Sequence, residues 1–171
     1  MYDVYSSAFE SFLGLGAMFL IFLFVFLVSA VCYVISSIAN ARVLKYFHHP
    51  RPWGGWVPIY CLVCLSECMK EEDGKVDAFL GKMGKKYFVF WPVAIVAANA
   101  FIPYFGTYLG AFLLAFFSAA VYKDLLSQEA GRDDIALGII SGIFPIVWII
   151  VAFIRFKGQR PIDIVEEQFE V

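Results

Sequence analysis

The sequence predicts an all-α integral membrane protein, and three observations carry that expectation. Of 171 residues, 61% are hydrophobic and only 16% are charged. An ordinary soluble domain has about 45–50% apolar and about 25% charged residues. The mean hydropathy is +0.77. Charge is also missing in blocks: Ser11–Ala41, Tyr87–Tyr122 and Ile135–Ile154 contain no Asp, Glu, Lys or Arg. Uncharged runs of that length read as helices that cross a bilayer. The same composition argues against a soluble enzyme, a disulfide scaffold, a coiled coil and a disordered chain. The formal net charge of −2 excludes a strongly basic nucleic-acid binder.

About 20 apolar residues span the ~30 Å hydrocarbon core at ~1.5 Å rise per residue. The first run therefore predicts one long span over 12–36. It has no basic leader, and it exceeds a signal core of about 7–15 residues. It is expected to be kept as an anchor. As a single helix the second run would reach roughly 54 Å, too long for ordinary tilt. Pro103 and Gly106 break it, because proline disfavours helix before it and glycine permits a turn. A helical hairpin is expected, with spans over 87–102 and 107–126. The third run predicts a fourth span over 135–154, kinked or split at Pro145. Residues 52–68 are too short for a span and contain Trp53, Trp56 and Tyr60, which favour the headgroup level. They predict a short interfacial or re-entrant helix.

Residues 69–86 read as a loop with a short helix near Val76–Met83, punctuated by Gly74, Gly81 and Gly84. Residues 161–171 read as an amphipathic tail, with Ile162, Val165 and Phe169 on one face. The whole chain forms one membrane domain. Eight Lys and Arg lie in 42–86 and none precedes Phe12. The positive-inside rule then puts the N-terminus outside and loop 42–86 in the cytoplasm. Arg155, Lys157 and Arg160 disagree with four spans. A re-entrant hairpin broken at Pro145 would return them to the inner side.

Faces of the spans suggest how they pack. Phe12, Leu15, Phe19, Phe22 and Phe26 repeat at helical spacing as a bulky stripe, facing lipid or a partner helix. Ser29, Cys32, Ser36 and Asn40 make a small or polar stripe suited to internal packing. Gly106, Gly110, Ala111, Ala115 and Ala119, then Gly138 and Gly142, form small-x3-small patterns. Such patterns let membrane helices approach closely. Trp53, Trp56, Tyr60, Lys85 and Lys86 are expected as interface anchors.

No span has an ionisable residue at its centre, which argues against a proton-coupled transporter or an intramembrane hydrolase. Asn99 is expected to close the hairpin turn by a hydrogen bond. Cys61, Cys64 and Cys68 fall on one helical face and could seed zinc or an iron–sulfur cluster, with His48 or His49 completing the set. The competing reading is that small buried thiols simply fill space. No metal, cofactor or catalytic residue is assigned. Lys82, Lys85 and Lys86 either touch anionic headgroups or anchor a solvated loop.

Trp53-Gly54-Gly55-Trp56-Val57-Pro58-Ile59-Tyr60 resembles the Trp-x-x-x-(Ile/Val)-Pro-x-Tyr-Asn stretch of a family of small bacterial multi-span membrane proteins of unknown function. The resemblance continues through Phe101-Ile102-Pro103, Lys123-Asp124-Leu125, Gly131, Leu137-Gly138 and Phe144-Pro145-Ile146. It covers roughly 45–153 and departs where Cys61 replaces Asn. It implies architecture and a bacterial cell membrane, and no mechanism. The expected function is a non-catalytic integral subunit that packs against other membrane proteins or itself. An oligomeric channel or carrier for a small solute is the first alternative, and a metal or redox subunit built on the three cysteines is the second.

Overall fold

A computed structural model describes residues 2–79, 81–101 and 105–158. The expected turn at Ile102–Tyr104 and the tail over 161–171 lie outside the described residues. The chain divides into two units, Met1–Ile35 and Ser36–Val171. Helix α1 runs Tyr2–Tyr46, longer at both ends than the expected span. In the first unit it buries nothing that is described. Met18 through Val28 are exposed at every position, so the bulky stripe is not set apart from its neighbours. Ser29 and Cys32 are exposed too, against the expectation of internal packing. Burial begins only in the second unit, where Ser36 is half-buried and Ser37, Ala39 and Asn40 are buried.

The end of α1 is a Schellman turn. His48 has φ 53, its N–H donates to Lys45 O, and the His49 N–H donates to Leu44 O at 2.9 Å. These bonds satisfy orphan carbonyls and turn the chain back sharply. A 3₁₀ turn, Pro52–Trp56, and helix α2, Tyr60–Glu67, follow. The expected single helix over 52–68 is thus two pieces. Ile59 separates them at φ 67 and ψ −51, closing a tight turn in which Tyr60 N–H donates to Pro58 O at 2.7 Å. A β-branched residue rarely adopts that region. Gly55 is pressed on α1: a Cβ there would lie 2.7 Å from Ala41 Cα.

Loop 69–86 is not a loop with a helix. It is a three-stranded antiparallel sheet in the order β1 (Glu71–Glu72), β2 (Lys75–Ala78), β3 (Gly81–Gly84). Glu72 pairs with Lys75 across Asp73-Gly74. Asp73 (φ 52) and Gly74 (φ 73) both adopt the left-handed conformation of a type I′ turn, which Asp-Gly favours. The Asp73-Gly74 pair carries that signal, and a helical reading of the segment overlooks it. Val76 and Ala78 of β2 are buried.

Helix α3 (Lys85–Phe101) and helix α4 (Phe105–Ala130) match the two expected hairpin spans within a few residues. Pro92 lies inside α3 and is fully buried. Trp91 Nε1 donates to Leu113 O at 3.2 Å, tying α3 to α4. Among the described residues, the Asn99 amide donates to Ile95 O at 2.9 Å and sits against Gly110 of α4, where a Cβ would collide with it; the turn it is expected to close lies outside them.

The last apolar run breaks where proline stands. Helix α5 (Ile135–Ile143) and helix α6 (Pro145–Arg155) meet at Phe144, which is extended. Arg155 Nη1, ending α6, lies 2.6 Å from Asp134 Oδ2, which precedes α5. Both outer ends therefore meet, and the run doubles back. The single fourth span over 135–154 is corrected accordingly. Each arm is about 14–17 Å long at ~1.5 Å per residue, half of a hydrocarbon core.

Small residues set the α4–α5 contact. A Cβ on Gly138 would lie 2.6 Å from Lys123 Cα, and one on Gly142 would lie 2.6 Å from Ala119 Cα. Gly106, Gly110 and Ala119 are buried and Ala115 is half-buried. Ala111 is exposed, so the alanine stripe packs only over its second part. Among the described residues, two helices are long and apolar enough to cross a membrane, Gly14–Tyr46 and Gly106–Ala130.

Gly142→Leu should lower the yield and melting temperature of detergent-purified protein, because backbone rather than a movable side chain blocks the new atoms. Gly131→Ala is a control in open space but at φ 65, and is expected to cost about 1 kcal/mol. Equal stability of Gly142→Leu and the parent would contradict the close contact.

Candidate functional site

A polar layer gathers the ends of the apolar helices of the second unit. Lys123, nearly buried on α4, lies 2.7 Å from Asp77 Oδ2 of β2 and 3.5 Å from Asp133 Oδ1. Asp124, also buried, accepts the Lys70 backbone N–H at 3.0 Å and the Gln128 amide at 2.8 Å. Gln128 also donates to Cys68 O at 3.1 Å. Arg155 adds Glu129 at 3.4 Å to its bond with Asp134. Arg42 Nε donates to Phe156 O at 2.8 Å, joining α1 to the end of α6. Buried charges demand such partners, since an unpaired one is costly to desolvate.

Beneath this layer Trp148 fastens α6 to two other helices. Its Nε1 donates to Asn40 Oδ1 at 2.9 Å, and its ring stacks on Tyr122 with centroids 3.8 Å apart. Phe156 is fully buried among Tyr46, Phe47 and Trp148. Asn40, read from sequence as part of a small stripe, is the acceptor that lets the tryptophan be buried.

The second polar locus follows α1. His49 Nε2 lies 2.8 Å from Glu67 Oε2. The Arg51 N–H donates to His49 Nδ1 at 3.2 Å, so the neutral ring carries its proton on Nε2 and donates it to the carboxylate. His49, Cys64 and Glu67 each bring one ligand atom within 4.8 Å of the others. Cys64 is fully buried, and Gly54 makes room for it: a Cβ there would lie 2.7 Å from Cys64 Sγ. Arg51 donates to Tyr60 Oη at 2.5 Å and places Nη2 3.9 Å from Glu67.

The three cysteines do not converge as a ligand set. Cys64 joins His49 and Glu67, and Cys61 and Cys68 stand outside that group. All three carry no disulfide. Burial, reinforced by Cys64, pushes the Cys61 thiol from 9.0 up to about 11. Burial, reinforced by Glu67, raises Cys64. Burial also raises Cys68. Glu67 is not among the residues expected from sequence, although Cys64-x2-Glu67 puts both on one helical face.

Of the expected anchors, Trp53 and Trp56 are exposed and Trp53 stacks on Tyr60 at 5.6 Å. Lys85 pairs with Glu71 at 3.1 Å and Lys82 with Glu72, which reduces the positive charge left for headgroups. Lys86 is exposed. Compared with protein families, curated proteins and solved structures, the chain matches none.

Asp124→Ala should destabilise the protein by about 1–3 kcal/mol, because it removes the acceptor of the Lys70 N–H and leaves the Gln128 amide with Cys68 O alone of the two acceptors described above. Asp124→Asn keeps an acceptor oxygen and should cost less; thermal unfolding in detergent compares the two. Cys61 should alkylate about 100-fold more slowly at pH 8 than an unperturbed thiol, since its thiolate fraction falls with the raised pKa. Mass spectrometry of timed iodoacetamide reactions reads the rate.

Proposed function

We propose that this chain is a non-catalytic integral membrane subunit that assembles with another membrane protein through α1. The carrying observation is the surface of α1 over 14–35, apolar on every side and exposed throughout. In water such a surface would be strongly unfavourable at ~25 cal/mol per Å², whereas a helix apolar all round suits lipid or a protein core. Ser29 and Cys32, exposed small residues, would let a neighbouring helix approach.

In this reading α1, α3 and α4 cross the bilayer and α5–α6 dips in and returns. The N-terminus is outside. All thirteen Lys and Arg then belong to the cytoplasmic side, in accord with the positive-inside rule. The Asp134–Arg155 bond supports the return of α6. A bacterial cell membrane is part of the proposal and rests on the resemblance carried by Trp53–Tyr60.

A channel-like or carrier-like oligomer is the second reading. It is favoured by the half-length arms broken at Phe144 and by Ser141, whose buried hydroxyl has no hydrogen-bond partner among the described residues. Broken helices at membrane depth are tolerated where protein or a cavity lines them.

The protein should stay in the pellet after alkaline carbonate washing, and a reporter fused after Val171 should give a cytoplasmic signal. A photo-crosslinker at Ser29 should join a single partner in fixed stoichiometry, lost in Cys32→Trp. Release into the wash would overturn membrane insertion. An exclusive self-crosslink with solute flux in liposomes would replace the first reading by the second.

A further inference from the structure

We propose that His49, Cys64 and Glu67 form a binding site for a divalent transition metal of the zinc class. One nitrogen, one sulfur and one carboxylate oxygen within 4.8 Å match the donor types zinc prefers. Their approach is built by local structure. The Schellman turn at His48 holds His49 against α2, Gly54 leaves the space that Cys64 Sγ occupies, and Glu67 follows Cys64 by three residues on the same helix. His49 and Cys64 are buried, and Glu67 is about one-third exposed, which leaves a route for the ion.

Binding exchanges protons for metal in a balanced way. The Cys64 S–H proton leaves to solvent and the thiolate sulfur takes the ion. The imidazole stays neutral: its proton moves from Nε2 to Nδ1, freeing Nε2 as a ligand. The Arg51 N–H bond to Nδ1 is given up in that exchange, a cost set against the new metal bond. Glu67 exchanges its hydrogen bond from His49 for the ion. One proton is released per metal bound, so affinity rises with pH. Three protein donors leave a position for water, unlike a closed four-ligand structural site. Arg51, 3.9 Å from Glu67, opposes the incoming charge and sets the affinity down. None of this requires the subunit role proposed above.

The test is cobalt(II) titration of the full-length chain, purified in detergent and stripped with chelator. One equivalent should bind and give a thiolate-to-cobalt charge-transfer band with tetrahedral visible absorption. Cys64→Ser should abolish the band, while Cys61→Ser and Cys68→Ser keep it. Glu67→Gln and His49→Gln should weaken binding at least ~10-fold, in line with the sensitivity of metal sites to their shells. Arg51→Ala should tighten it. Should Cys64→Ser fail to fold, the Glu67→Gln and Arg51→Ala pair decides: unchanged affinity in both overturns the site. A band that survives Cys64→Ser, or that vanishes with Cys61→Ser or Cys68→Ser, assigns the metal to another thiol and also overturns it. So does the absence of stoichiometric binding.

Discussion

A twenty-residue apolar run cannot keep both of its ends in one polar layer unless it breaks in the middle. That constraint organises the second unit. Asp134 and Arg155, at opposite ends of the run, lie 2.6 Å apart, and the chain reverses at Phe144-Pro145 between them. Proline makes the break inexpensive, since its missing N–H would otherwise leave a carbonyl unpaired inside the helix. The reversal brings Trp148 onto Tyr122 and Asn40, and Phe156 beneath Tyr46. The end of α1 and the end of α6 are joined through the same fold-back.

The glycines serve that arrangement. Gly138 and Gly142 allow α5 to lie on the backbone of α4 beside Lys123 and Ala119. A half-length helix has few side chains to interdigitate, so close backbone approach supplies its packing. Lys123 can then sit nearly buried because Asp77 reaches it from β2 and Asp133 from the connection between α4 and α5. The small sheet thus does more than connect α2 to α3: it delivers a carboxylate to a buried amine. The same logic recurs at Asp124, whose partners come from Lys70 and Gln128.

The thiol-bearing helix shows why linear spacing misleads about chemistry. Cys61, Cys64 and Cys68 share a helical face, but a metal needs donors that converge from different directions. His49 supplies one such direction only because a left-handed residue at His48 turns the chain back. Glu67 supplies another, held by its hydrogen bond to the histidine. Neither the turn nor the pairing has a one-dimensional signature strong enough to single them out.

Composition and hydropathy blocks by themselves determined the helical class, the long first helix, the hairpin over α3 and α4, and the susceptibility of the last run to break at Pro145. These follow from local terms: apolar length, proline geometry and the absence of charge. The Asp73-Gly74 turn had a local signal as well, but the expected helix near Val76–Met83 passed over it, and the sheet came to light only in the structure. Tertiary structure alone decided that the last run folds back, that Ser29 and Cys32 stay exposed while Ser37 and Asn40 are buried, that Ala111 is left out of the α4–α5 contact, and that His49, Cys64 and Glu67 meet. Each of these depends on which surfaces are brought together from distant parts of the chain, and an apolar or small residue looks the same in sequence whether lipid, a neighbouring helix or its own chain covers it.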